Sequence, residues 1–380
     1  AAAGRERPTG LGHPGVSSSH DLIVVGAGIV CAACAERASA EGLDVLIVEP
    51  GPVGGGVTAA SMGHLVTVDS APAEMALAAY SQELWSSLHD LPGLEYSRCG
   101  TLWVAADADD LAQVPVRQAR LAALGIEAEP VDAHRLYALE PALAPGLAGG
   151  LRVPGEGVVY PPAAARALVQ RACRRGATLQ RGRVVALDDH GVRLEDGSRH
   201  RGRVLLAVGG ELASLLPELP LRARKGHLVI TERYPGTIHH QLVQMRYADN
   251  VHDEAASVAL NVQPRPTGQL LIGASREYGS SDTAVSLPTV QRMLQCTFGF
   301  LRGLRSLKAL RIWAGLRPAS ADGLPYIGPV SGRRGIWIAA GHEGLGVCTA
   351  PGTAAILVDQ LLGRPLAIDA SPYDPARIAA

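Results

Sequence analysis

The run DLIVVGAGIVCAACAERASAEGLDVLIVE, from Asp21 to Glu49, leaves a chain like this few alternatives. Leu22–Val25 is a short apolar, β-branched stretch that reads as a buried strand, and Gly26-Ala27-Gly28 then forces a tight turn. An alanine-rich segment follows to Glu41, Gly42 ends it, and Val45–Val48 reads as a second strand tipped by Glu49. Strand, glycine turn, helix and acid-tipped strand together form the fingerprint of a dinucleotide site. Gly26 makes the turn, Gly28 admits a pyrophosphate, and the N–H groups of the first helical turn, from Ile29, face that anion with the positive end of the helix dipole. Glu49, 23 residues beyond Gly26, is placed to accept hydrogen bonds from ribose hydroxyls. The bland alternative is an ordinary βαβ unit with a glycine-rich turn. One position departs from the fingerprint: Cys31 stands where a third glycine lets helix and strand pack closely. Added bulk there should cost about 1–3 kcal/mol unless the helix shifts outward.

The other 350 or so residues bound the rest of the answer. A 380-residue chain with 47% hydrophobic and 19% charged residues has enough core for two or three interleaved units. A net charge of −1 gives no support for nucleic acid or a membrane surface as partner, and no apolar run approaches a transmembrane span. Residues 1–19 are rich in Pro, Gly and Ser without an apolar core, so they are expected to be a disordered lead-in rather than a secretory signal. The six cysteines are scattered, and the Cys31–Cys34 pair falls on a helix with no second pair. Packing is therefore expected of them, in a reducing cytoplasm, with no metal site. Only two of the 35 basic residues are lysines, so an arginine needs motif support before it is read as functional.

Along the chain, Gly54-Gly55-Gly56 leads into Thr58, Ser61, Met62 and Gly63, a backbone suited to wrapping a long cofactor or, alone, to a flexible surface loop. Residues 72–91 and 116–124 have helical spacing, and 96–106 reads as a strand. The stretch 157–177 reads as a helix, after which a meander beginning at Val184 ends in Gly209-Gly210. Lys225-Gly226-His227 opens a strand, 256–277 reads as a hairpin about Pro-Thr-Gly, and 288–304 as a helix. Finally, 336–363 reads as a strand, a glycine loop (Gly341, Gly344, Gly346) and a long apolar helix, giving a second site for anions or carbonyls. His239-His240 reads as surface.

At this point the motifs GAGIV, AGLRPASADGLPYIG and AAGHEGLG resemble the D-amino acid oxidase/glycine oxidase superfamily of FAD enzymes. RKGHLVIT, NVQPRPTGQLLIGASR and GVVYPPAAAR look like one branch of it, the β subunit of heteromeric D-hydroxyproline dehydrogenase. The resemblance runs from about His20 to Tyr373. It implies a Rossmann-type α/β FAD-binding domain (20–78, 152–222 and 310–370) interleaved with an antiparallel-sheet substrate domain (79–151 and 223–309), and a tail at 371–380. FAD would be held by Gly26, Gly28, Ile29, Glu49, Thr58, Ser61, Met62, Gly63, Val184, Gly209, Gly341, Gly344, Leu345 and Gly346.

Arg317 matches the arginine that grips the substrate carboxylate, for which a planar guanidinium fork is suited. Asn261 matches a position over the substrate, and His342 a position beside the flavin or, equally, a core histidine. Glu343 and Lys225 are lesser candidates. The implied chemistry is hydride transfer from the Cα of an amino acid, D-hydroxyproline or another proline-like one, to flavin N5. The branch implies an α subunit, in some relatives a small iron–sulfur subunit and an interfacial FMN, and a downstream electron acceptor. The alternatives are a stand-alone glycine, sarcosine or D-amino acid oxidase using oxygen, and a flavin-free scaffold subunit. The last is prompted by Cys31 and by LLAVGGELA (205–213).

Overall fold

The computed structural model describes residues 17–68, 70–188, 190–247 and 257–378. The opening run folds as its pattern dictates, into strand β1 (Ser17–Val25), helix α1 (Ile29–Ala40) and strand β2 (Val45–Glu49). β1 lies at the centre of a largely parallel sheet, between β2 and the strand Arg199–Leu206. Thr178–Arg181 extends the sheet beyond β2, and Ile336–Ala340 then Tyr326–Pro329 extend it on the other side. Strands buried on both faces need continuous apolar runs, which is why LIVV and VLIV read as they do. On one face α1 packs beside Pro161–Arg174 and Gly346–Leu361. The other face is covered through Val184, Val192, Leu212 and Leu216.

The second sheet runs Ala309–Ala319, Arg222–Arg233, Gln269–Tyr278, Ser257–Pro264, Gln241–Gln244, Thr101–Ala105, Gly149–Val153 and Glu129–Asp132. Helix Leu287–Phe300 closes its far face through Val290 and Met293, packed on Leu260, Val262 and Ile272. The near face turns toward the first sheet. Two bonds tie the layers at the short helix Gly56–Ala60 and the segment after it: Gln263 Nε2 donates to Met62 O at 2.8 Å, and Trp313 Nε1 to Ala60 O at 3.2 Å.

Several expectations need correction. The lead-in expected over 1–19 lies outside the described residues up to 16, but Ser17–Ser19 belong to β1 and pair with Arg199–Arg201. Ser18 Oγ, 2.7 Å from His200 Nδ1, fastens that extension. Helix Pro72–Ser86 packs whole against Gly346–Leu361, with Ser81 Oγ accepting from Gly352 N, so residues 79–86 stay with the nucleotide layer. The expected tail is pinned: Tyr373 is buried with its hydroxyl on Ala73 O, and Arg377 pairs with Asp322 over the Tyr326 ring. Of the histidine pair only His239 is at the surface. His240 is buried, because Glu140, itself without exposure, accepts from its N–H and ring. Among the described residues no helix is long and apolar enough to cross a membrane.

Candidate active site

A cavity of about 1420 Å³ runs between the two layers. That exceeds the ~300–1,000 Å³ of an ordinary small-ligand pocket, and suits a long cofactor with a substrate at one end. Its walls pass from Gly182–Val185 by the Gly26–Gly28 turn and Glu49 to Met62, then to Gly341–Val347 and Arg317.

At the first end, Glu49 is held by two backbone donors, Ala27 N to Oε2 and Gly51 N to Oε1, both at 2.7 Å. Glu49 also lines the cavity. Thr58 Oγ1 accepts from Ile29 N at 3.0 Å, and Gly54 N donates to Ala27 O, so the glycine loop is tied to the turn. Neither α1 nor helix Gly346–Leu361 has a side-chain cap on its N-cap residue or an acid in its first turn. Two helix N-termini with positive dipole ends and no acid in their own first turns therefore abut one cavity, which suits a pyrophosphate and a ring rich in carbonyls.

Cys31 is accommodated by the turn. Gly26 has φ +107°, and a Cβ on it would lie 2.8 Å from Cys31 Sγ. The thiol occupies that space and donates to Ala207 O at 3.0 Å, while burial pushes its pKa up to about 12. It is thus a neutral packing group, and Cys34, also buried, is another. Cys31→Gly should therefore leave FAD affinity within about threefold of wild type. Loss of the thiol contact and a glycine inside a helix should destabilise the fold by about 1–2 kcal/mol, read by thermal melting. A large gain in FAD affinity would mean that the thiol damages the site.

At the far end, Arg317 extends over Gly226, where any Cβ would overlap the guanidinium. Its Nη1 donates to Ser275 O at 3.2 Å, and the backbone of Gly344 lies alongside its aliphatic stem. Behind it, buried Arg224 pairs with Glu343 and stacks on Tyr278, with its Cζ 4.7 Å from the ring centre. Glu343 takes the left-handed backbone (φ 49°) and donates its N–H to Pro318 O, which moors the Gly341–Gly346 loop beside Arg317.

All the cofactor candidates line this cavity, as do Arg317, His342 and Glu343. Asn261 does not. It lies on the strand Ser257–Pro264, buried, its Oδ1 without a hydrogen-bond partner and outside the cavity wall. His342 has its Nε2 3.0 Å from Thr353 Oγ1, and burial lowers its pKa to about 4, so it borders the cavity as a neutral core histidine. Lys225 is buried and pairs with Asp282 at 2.9 Å.

Five charged or titratable residues in the wall escaped the sequence reading: His64, Glu74, Arg183, Glu211 and Arg276. Burial, then repulsion from Arg317 and Arg276, lowers His64 to about 4, so it is neutral near pH 7. Burial, aided by Glu343 and opposed by Ser70 and Arg276, raises Glu74 to about 7. His64 follows Met62-Gly63 directly, a signal that was present; Glu74 and Arg276 sit in ordinary helix and strand patterns. Among the described residues there is no cluster of His, Cys, Asp and Glu able to hold a metal ion.

Residues 21–360 match the family model DAO, FAD dependent oxidoreductase. The chain belongs to this family. Glycine oxidase of Pseudomonas aeruginosa is 30% identical over 388 residues, spanning 94% of this chain and 99% of that protein. Hydrogen cyanide synthase subunit HcnC of the same organism is 25% identical over 425 residues, 95% and 97% of the two chains. Among solved structures, glycine oxidase from Geobacillus kaustophilus superposes with a TM-score of 0.84 at 25% identity, covering 95% and 99%. L-proline dehydrogenase from P. horikoshii gives 0.86 at 20% identity, covering 96% and 99%, which speaks to the fold alone. This DAO-family protein is accordingly an FAD-dependent oxidoreductase with the family's mixed α/β fold. The segment 205–213 contributes Ala207–Glu211 to the cavity wall.

Proposed function

We propose that the protein oxidises a small α-amino acid at its Cα–N bond, as a glycine-oxidase-type enzyme. The observation that carries this reading is Arg317: a guanidinium laid over a side-chain-free floor at Gly226, at the end of the cavity beyond the cofactor-binding turns. Bound FAD supplies the hydride acceptor, and the residues of this chain do the rest. Arg317 would grip the substrate carboxylate through its fork and so hold the amino acid in one orientation for hydride loss from Cα. His64, neutral near pH 7, adds no positive charge next to the substrate amine. Gly26, Gly28, Ile29 and Glu49 hold the pyrophosphate and ribose, Val184 the adenine end, and Thr58, Ser61, Met62 and Gly63 the middle. Gly209 and the loop Gly341–Gly346 with Leu345 complete the cradle.

The full-length coverage by glycine oxidases favours oxygen as acceptor. A second reading has the chain as the catalytic subunit of a heteromeric dehydrogenase for D-hydroxyproline or a proline-like acid, with partner subunits carrying electrons onward. The motifs at 224–231 and 261–276 favour it.

The two separate in one assay. The FAD-loaded chain is given glycine, sarcosine, D-proline or D-hydroxyproline, and peroxide is measured against reduction of an artificial dye. Peroxide formed mole for mole with substrate consumed is the expected result. Dye reduction without peroxide, strongest with the proline-type acids, selects the dehydrogenase. A flavin that none of these substrates bleaches sinks both.

A further inference from the structure

The ladder between Arg222–Arg233 and Gln269–Tyr278 breaks directly beneath Arg317. Lys225 pairs with Glu277 and Val229 with Ile272, so residues 226–228 face four residues, 273–276. A bulge of this kind re-aims the strand that carries the extra residue. Here it places Ser275 O on Arg317 Nη1 and leaves Arg276 in the cavity wall.

Side chains replace the missing ladder bonds. His227, without exposure, donates its backbone N–H to Ser275 Oγ at 2.9 Å, and its Nδ1 lies 3.0 Å from the same oxygen. Its Nε2 accepts from Ser286 N at 3.0 Å, so Nε2 is bare and the ring proton sits on Nδ1. Burial, joined by Lys225 and Arg317 and opposed by Glu277, holds the imidazole below its usual pKa and so in this neutral form. One ring thus clasps the bulged strand at Ser275 and the loop 279–286, which brings Thr283 to the cavity wall, at Ser286.

We infer that His227 is a positioning residue for substrate binding: through Ser275 it fixes the carbonyl that aims the Arg317 guanidinium, and through Ser286 it fixes the neighbouring loop of the cavity. This rests on the reading of Arg317 as the carboxylate clamp. A misaimed clamp weakens capture of the carboxylate more than it slows the reaction once the substrate is bound.

The test uses FAD-loaded enzyme, with acetate binding followed by its perturbation of flavin absorbance, and with KM and kcat for the best amino acid. His227→Leu, which removes both ring bonds, should raise the acetate Kd and KM about tenfold or more while kcat changes less than threefold. His227→Asn, whose amide can still reach Ser275, should recover most of the loss. Wild-type acetate affinity in a folded, flavin-loaded His227→Leu protein would overturn the inference, as would identical behaviour of the Asn and Leu variants. Should His227→Leu fail to fold, Ser275→Ala removes the Oγ and keeps the carbonyl. It should show the same rise in KM, reversed in Ser275→Thr, and an unchanged KM would be equally fatal. Arg317→Met keeps the two ideas apart: if it binds acetate normally, the clamp reading fails, whatever His227 does.

Discussion

Arg317→Met should lower kcat/KM about 10²–10³-fold with FAD content unchanged. Truncating one partner of a buried, hydrogen-bonded charge pair costs about 2–5 kcal/mol, and 1.4 kcal/mol is a factor of ten. The guanidinium lies over Gly226 and beside Gly344, and on the proposed reading it holds substrate rather than cofactor. Its removal should therefore empty the carboxylate site and spare the cofactor. Arg317→Lys keeps the charge but not the planar fork, and should fall between the two. Steady-state kinetics at matched flavin loading decide the matter. An unchanged kcat/KM in the methionine variant would mean that the carboxylate is held elsewhere, with Arg276 the next candidate in the wall.

Gly26→Ala should yield protein that purifies without flavin and binds added FAD at least 100-fold more weakly. Two costs coincide there. At φ +107° an L-residue is strained, typically by about 1–3 kcal/mol. The new methyl would also meet Cys31 Sγ at 2.8 Å and Ala207 O at 3.2 Å, so the turn proposed to receive the pyrophosphate has to move. The double variant Gly26→Ala/Cys31→Gly removes the sulfur but keeps the strain and the carbonyl contact. It should recover only part of the affinity, with coupling measurable as a double-mutant cycle. Fluorescence of released flavin after denaturation gives the occupancy of each variant. Full flavin content in Gly26→Ala would show that the turn yields without cost.

Much of this site was legible before any coordinates. Glu49, Gly26 and Gly28 announced themselves because a strand, a turn and a helix have local signatures, and the turn chemistry is written into consecutive residues. Arg317 and the Gly341–Gly346 loop needed motif resemblance, since nothing in their spacing alone tells an arginine in a cavity from one at the surface. Asn261 shares a strand face with Gln263, whose side chain holds the backbone at Met62, and it stands outside the cavity wall. His64 and Glu74 come from successive elements and Arg276 from a strand about 200 residues later, and they gain their meaning only where the layers meet. The burial of His240 was equally hidden, because it follows from Glu140, a hundred residues earlier. Cys31 looked like a flaw when only its own helix was in view. Ala207, whose carbonyl accepts its hydrogen bond, arrives 176 residues later.

That last separation has a consequence for biosynthesis. β1 is an inner strand, yet one of its two neighbours, Arg199–Leu206, leaves the ribosome long after it: Leu22 pairs with Arg203. At about 5–20 residues per second, translation leaves that edge of β1 open for roughly 10–40 s. Over that interval the nascent chain has its glycine turn but not the carbonyl of Ala207 that completes its packing, and a bare strand edge is a site for mispairing with other chains. Flavin capture is therefore a late event in the life of this polypeptide. Nascent chains arrested before Ala207 should emerge colourless, and those extended past the helix Gly346–Leu361 should be the first to turn yellow.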